Sequence, residues 1–147
     1  MSASVIDHER YTVTRSLHID APRARVWQAI TRPEHISEWF GDTAAFDALE
    51  VGASGTFGWH DYGIHPVRIE EFDEPDVFAF TWGVPGEPLL ASNSTTARFT
   101  LEDDGDGTLL TVVESGFENL AHPAAMLEDH RGGWDSELDE LVAMVTA

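Results

Sequence analysis

Acid–base or metal chemistry in this chain has to come from its seven histidines and its carboxylates, because the sequence contains no cysteine. The best local grouping is His60 and His65, which flank a short turn and which a β-hairpin would bring near each other. No third ligand follows at a suitable spacing, so we predict neither a metal site nor a cofactor. Either imidazole is a candidate general acid or hydrogen-bond donor at the mouth of a cavity.

His130 and Glu114 are the other ionisable candidates. His130 lies about one helical turn before Trp134 in an amphipathic segment, so both side chains can point into one cavity. Glu114 ends an alternating segment and would act as a base if it faced inward, because desolvation raises the pKa of a carboxyl group. We expect it to face solvent instead. The serines lack the Gly-x-Ser-x-Gly elbow of a nucleophile, and we predict no catalytic residue.

Aromatic side chains provide a second kind of chemistry, the binding of a flat apolar ligand. The chain has five Trp and eight Phe, and indole N–H groups need hydrogen-bond partners wherever they are buried. Binding cavities are mostly apolar with a few polar anchors, which this composition matches. The alternative is an ordinary filled core. The predicted ligand-binding residues are Trp39, Phe40, Trp59, Phe80, Trp82, Phe99, His130, Trp134 and Leu138.

The elements that position these residues follow from hydrophobic periodicity. A first strand is predicted over residues 11–19, and two short helices follow it, the first capped by Asp20 and the second starting at Pro33. Alternation predicts further strands at 55–61, 65–72, 77–82, 95–102 and 108–114, with a short extra strand near 44–49. An amphipathic helix over residues 126–145 ends the chain, and its Gly132–Gly133 pair indicates a kink or a close backbone approach.

This order of elements predicts an α+β fold in a single domain over residues 1–147, with residues 1–10 as a loosely ordered tail. A curved antiparallel sheet of about six or seven strands has one apolar face. The long C-terminal helix is the element with a matching apolar stripe, so we expect it to cover that face.

The charge of the chain excludes several kinds of partner. Its 27 acidic residues outnumber its 8 basic residues, all of them Arg, and give a formal net charge of −19. A surface this negative repels phosphate backbones and anionic headgroups, so we expect no nucleic-acid and no membrane partner. The chain shows neither a signal-like segment nor ~18 consecutive apolar residues, which predicts a cytoplasmic protein. Adaptation to high salt and GC-rich codon usage are alternative explanations of this composition.

Three segments resemble the START-like, or SRPBCC, superfamily and within it the branch named after the activator of the heat-shock protein 90 ATPase. Residues 18–42 read HIDAPRARVWQAITRPEHISEWFGD, residues 97–120 read ARFTLEDDGDGTLLTVVESGFENL, and residues 133–145 read GWDSELDELVAMV. They are similar to the branch's opening strand and helices, its last hairpin, and its closing Gly-Trp-x-x-x-Leu-x-x-Leu helix.

The resemblance implies a helix-grip fold with a cavity beneath the closing helix. It implies binding of a small hydrophobic molecule, since single-domain relatives include such binders. A cavity-based enzyme of the polyketide cyclase or hydrolase type is one alternative, and it requires at least two inward polar groups within hydrogen-bond distance. A protein-interaction module, acting on a chaperone or on a second copy as a homodimer, is another. A chaperone partner is less expected, because the co-chaperone that names the branch uses an additional domain.

Overall fold

The computed structural model describes residues 3–147, in which eight strands form one antiparallel sheet. The strands are β1 (Val5–Asp7), β2 (Thr12–Ile19), β3 (Thr43–Phe46), β4 (Ser54–Trp59), β5 (Gly63–Asp73), β6 (Val77–Trp82), β7 (Thr95–Asp104) and β8 (Gly107–Ser115). The helices are α1 (Arg23–Thr31), α2 (Pro33–Trp39) and α3 (Pro123–Val145), with single 3-10 turns at Ala91–Asn93 and Phe117–Asn119. The strand order is β1-β2-β8-β7-β6-β5-β4-β3. The predicted α+β helix-grip fold is confirmed.

The sheet has one strand more than the sequence predicted. β1 falls within residues 1–10, which the sequence predicted as a loose tail, and it pairs with β2 from Val5 opposite Thr14 to Asp7 opposite Thr12. These pairs give the backbone of residues 5–7 the hydrogen bonds that order it, so the prediction of a loose tail is wrong for this segment. Residues 1 and 2 lie outside the described part of the chain.

The core lies between one face of the sheet and the three helices. α3 packs against α1, α2 and β2. Its predicted apolar stripe is confirmed, because the buried residues of this helix are Leu127, Trp134, Leu138, Leu141 and Val145. Alternation holds on the strands as well, since the buried positions of β7 and β8 recur at every second residue. The helix therefore covers the apolar face of the sheet as expected.

α1 begins without a side-chain cap. Its N-cap residue is Pro22, which makes no capping hydrogen bond with a side chain. Asp20 was predicted to cap this helix, but its carboxylate accepts a hydrogen bond from His18 Nε2 at 2.9 Å. The prediction is wrong because Asp20 lies two residues before the N-cap position and turns toward β2.

Gly132 and Gly133 lie inside the continuous helix α3. A Cβ atom built on either glycine would meet nothing within 4 Å. The predicted close backbone approach is therefore wrong, because both positions face open space.

Replacing both glycines by alanine is expected to raise the free energy of unfolding by about 1–2 kcal/mol, because each glycine costs roughly 0.5–1 kcal/mol inside a helix. Urea denaturation of the double variant measures the change. Gly41→Ala is the opposing control, because Gly41 has φ of +76° and a Cβ there would lie 2.9 Å from the carbonyl oxygen of Gly58. Loss of stability in the double variant would show that the two positions are not open.

Glu137 faces the loop after α2, and its environment disfavours a negative charge. Burial, followed by the charge of Glu140, raises the pKa of Glu137 to about 7, although the backbone N–H of Gly41 opposes the shift and Asp42 adds to it. A folded-state pKa above the ordinary value means that the folded chain holds a proton that the unfolded chain has released. Stability contributed by this proton is lost as the pH rises through about 7.

Glu137→Gln is therefore expected to stabilise the protein more at pH 8 than at pH 4.5, because glutamine carries no charge at either pH. Glu137 is only half-buried, and solvent screening reduces the expected gain to about 1 kcal/mol. Urea denaturation at both pH values measures it. Glu118→Gln, at an exposed glutamate whose charge does not contribute to the pKa of Glu137, is the matched control. An equal effect of Glu137→Gln at the two pH values would contradict the account.

Candidate functional site

Glu114 on β8 is the centre of a buried polar cluster and has no exposed surface. Its Oε1 accepts a hydrogen bond from Trp134 Nε1 at 2.8 Å, and its Oε2 accepts from Trp82 Nε1 at 3.0 Å and from Thr95 Oγ1 at 2.5 Å. His130 Nδ1 lies 2.9 Å from each carboxylate oxygen. The acceptor therefore comes from β8, and the donors come from β6, β7 and α3.

The expectation that Glu114 faces solvent is wrong. β8 alternates regularly, and Leu110, Val112 and Glu114 are all buried on the same face. The carboxylate is tolerated there because each oxygen has several donors, as a buried charge requires.

The surroundings of the cluster favour a carboxylate on Glu114 and an imidazolium on His130. Desolvation acts to raise the pKa of Glu114, but the His130 charge and the hydrogen bonds from His130, Thr95 and Trp134 outweigh it and keep that pKa below its usual value. Desolvation likewise acts to lower the pKa of His130, but the charge and hydrogen bond of Glu114 outweigh it and raise that pKa. Each partner therefore stabilises the charged form of the other.

A cavity of about 450 Å³ opens beside this cluster. It lies where the first half of α3 meets the end of β6 and the connection to β7. Its mostly apolar wall includes Val84, Leu120 and Met126, and His65 and His130 also line it. The volume is within the usual range for a site that holds a small molecule.

Two imidazoles flank the indole of Trp82 on the cavity wall. The ring centre of Trp82 lies 5.4 Å from that of His65 and 5.5 Å from that of His130. His65 Nδ1 donates a hydrogen bond to the carbonyl oxygen of Gly83 at 2.6 Å. Burial, which outweighs that hydrogen bond, and the charge of His130 lower the pKa of His65.

Of the nine predicted ligand-binding residues, the structure places Trp82 and His130 on the wall of this cavity. The other seven pack elsewhere among the described residues, and they are Trp39, Phe40, Trp59, Phe80, Phe99, Trp134 and Leu138. Phe40 is central, because its ring stacks on Trp134 at 5.5 Å and meets Trp59 at 5.1 Å. These aromatic contacts fill the space beneath the middle of α3, so the cavity lies toward the start of that helix.

His60 and His65 are not brought together as the sequence suggested. His60 lies in the turn after β4 with its side chain 85% exposed, whereas His65 pairs with Phe57 inside the hairpin. Within residues 3–147 the structure has no group of three or more His, Asp or Glu side chains that could hold a metal ion. No helix in the same range is long and apolar enough to cross a membrane.

The family described as Activator of Hsp90 ATPase homolog 1-like protein matches residues 20–146. The chain belongs to this family. The match extends from Asp20, just before α1, to Thr146, just after α3, so it includes the buried cluster and the cavity. The resemblance of the three sequence segments to this branch is thereby confirmed.

Several bacterial proteins are similar to this chain in sequence or in structure. The polyketide synthase GfsB of Streptomyces halstedii is 33% identical over 92 residues, which are 52% of this chain and only 2% of that protein. Protein MLL2253 of Mesorhizobium loti has a TM-score of 0.80 at 22% identity, covering 92% of this chain and 96% of that one. DynU16, a protein of the dynemicin biosynthetic locus, has a TM-score of 0.74 at 23% identity, covering 92% and 47%. The two structures share the fold of this chain.

From the sequence we named Glu114 as a candidate base but expected it to face solvent, and we missed Thr95 as a member of the site. A signal was available for Glu114, because buried indoles need acceptors and Glu114 continues the buried alternation of β8. Thr95 gave no signal, since its role depends on how β7 starts beside β8.

Proposed function

We propose that this chain binds a small, mostly apolar molecule in the 450 Å³ cavity, with a polar group of the ligand on the His130 imidazole. The observation that carries the proposal is that an apolar wall ends at a histidine whose other ring nitrogen is held by the buried Glu114. Such a cavity combines apolar area for affinity with one fixed polar anchor for orientation.

The names of two similar proteins support a polyketide-like ligand. One of them is a polyketide synthase and another belongs to the dynemicin biosynthetic locus. Trp82 on the cavity wall offers an aromatic face for such a molecule.

Calorimetric titration with 2-naphthol tests the proposal, because this probe is flat, apolar and carries one hydroxyl group. At about 0.5 kcal/mol per non-hydrogen atom we expect one site with a Kd on the order of 100 μM. Ala121→Trp places an indole on the cavity wall and is expected to weaken binding at least about tenfold, since it occupies the ligand's volume. Ala125→Trp, at an exposed position of α3 outside the lining, is the matched control. No saturable binding, or equal binding by both variants, would refute the proposal.

An enzyme of the polyketide cyclase type is the second candidate, and one observation favours it. That alternative requires two inward polar groups within hydrogen-bond distance, and Glu114 and His130 lie 2.9 Å apart with His130 on the cavity wall. A carboxylate that holds one nitrogen of an imidazole leaves the other nitrogen positioned for proton transfer.

A further inference from the structure

The cavity is lined by two imidazoles whose hydrogen bonds fix different chemical states. His65 donates from Nδ1 to the carbonyl oxygen of Gly83, and His130 donates from Nδ1 to Glu114. A carbonyl oxygen and a carboxylate can only accept, so Nδ1 carries a hydrogen in both rings. Among residues 3–147, Nε2 of neither ring has a hydrogen-bond partner. Neither Nε2 atom is fully buried. The Nε2 atoms are therefore the free polar atoms that these two residues bring to the cavity.

The partners of Nδ1 set the charge of each ring. His65 has a neutral partner, is half-buried and lies near the His130 charge, and its pKa is lowered. The neutral form of the ring is therefore favoured, and in that form its Nε2 carries a lone pair. His130 has an ionised partner and a second acidic neighbour in Asp129, and its pKa is raised. Below that raised pKa its Nε2 also carries a hydrogen, because the Glu114 carboxylate 2.9 Å from Nδ1 favours the doubly protonated ring. A third imidazole, His122, also lines the cavity.

Two groups whose surroundings push their protonation in opposite directions form an acid and a base. We infer that His65 Nε2 is the base and His130 Nε2–H is the acid for enolisation of a ketone held against Trp82. This inference rests on the proposed function, because the ketone must occupy the same cavity. Both residues act as catalytic residues, and Glu114 acts as a positioning residue for His130.

The step balances without any further reactant. His65 Nε2 takes the proton from the carbon beside the carbonyl, and the electron pair of that C–H bond forms the C=C bond. The π pair of the carbonyl then takes the proton from His130 Nε2, which forms the enol O–H. Nothing is oxidised or reduced, and solvent exchange returns His65 to its neutral form and His130 to its charged form. The substrate class is a flat, mostly apolar ketone with an acidic neighbouring C–H group.

Deuterium exchange into C1 of 2-tetralone, followed by proton NMR in D2O, tests the inference. The probe has the shape of 2-naphthol and an enolisable carbon. We expect the protein to accelerate exchange about 100-fold over free imidazole at the same concentration, the usual contribution of a positioned acid or base. His65→Asn and His130→Asn are each expected to lose that acceleration, because asparagine keeps a donor for Gly83 or Glu114 but has no atom at Nε2. His60→Asn, in the exposed turn, is expected to retain it.

The outcomes separate the inference from the proposed function. If 2-naphthol binds to the wild type and exchange is no faster than with free imidazole, the acid–base inference is wrong and the binding proposal stands. The acid–base inference is also wrong if both Asn variants still accelerate exchange as the wild type does. A thermal transition shows that each variant is folded. His65→Gln checks that any loss does not come from one particular replacement. If neither probe binds, both proposals fail.

Discussion

Replacing Glu114 by alanine is expected to lower the free energy of unfolding by about 3–5 kcal/mol, because it leaves a buried charge without its partner. The His130 side chain is only 16% exposed, so its charge cannot be hydrated fully once the carboxylate is gone. The indoles of Trp82 and Trp134 and the hydroxyl of Thr95 lose their acceptor as well. Each unsatisfied buried donor adds to the cost. Urea denaturation of the variant measures the change.

The control for this prediction is Glu118→Ala, at an exposed glutamate in the 3-10 turn after β8, which is expected to stay within about 0.5 kcal/mol of the wild type. Glu114→Gln keeps one oxygen acceptor but presents an amide N–H to other donors, and we expect an intermediate loss. A change below about 1 kcal/mol for Glu114→Ala would show that the cluster is not a buried ion pair.

The contribution of this pair also depends on pH. Glu114 has a lowered pKa, so the stability it contributes is present above its ordinary value of 4.5 and is lost as the pH falls through the lowered value. His130 has a raised pKa, so its contribution is present below its ordinary value of 6.5 and is lost as the pH rises through the raised value. The difference in the free energy of unfolding between wild type and Glu114→Ala is therefore expected to be largest between the two ordinary values, pH 4.5 and pH 6.5.

Arg15→Ala is the substitution with the second-largest expected effect. Arg15 lies on β2 with only 4% of its side chain exposed, and it joins the sheet to α3. Its guanidinium donates to the carbonyl oxygen of Asp135 at 3.1 Å and to Asp139 Oδ1 at 2.7 Å. Loss of these hydrogen bonds and of the packed alkyl chain is expected to lower the free energy of unfolding by about 2–4 kcal/mol.

Arg15→Lys provides the comparison, because lysine keeps the charge but lacks the planar fork that reaches both acceptors. We expect it to recover less than half of the stability lost in Arg15→Ala, measured by urea denaturation. Full recovery by lysine would show that charge alone holds this contact. Asp139 is 57% exposed, so Asp139→Ala is expected to cost less than Arg15→Ala.

Periodicity in the sequence predicted most of the fold. The apolar stripe of α3 and the alternation of β7 and β8 appear in the structure, because a period of 3.6 or 2 decides which side of an element is buried. β1 was missed because a strand of three residues has too few positions to show alternation. The close backbone approach expected at the glycine pair was wrong because helix propensity does not report what surrounds a helix.

The site was predicted less well than the fold. Trp82 was recognised because a buried indole N–H needs a partner. His130 was recognised because it lies about one helical turn before Trp134 in an amphipathic segment. The position of the cavity was not predictable, since periodicity gives the face of a residue and not the distance between facing elements. Phe40 illustrates this limit, because its apolar character fits both a cavity wall and the stacked core in which it lies.

A crystal structure of the protein saturated with 2-naphthol shows directly whether the cavity binds a small apolar molecule. The naphthalene ring is expected against Trp82 inside the cavity of about 450 Å³. The hydroxyl oxygen is expected about 2.7–3.2 Å from His130 Nε2, the distance of a hydrogen bond. Density for the probe outside this cavity, or an empty cavity at saturating concentration, would show that the cavity is not the binding site.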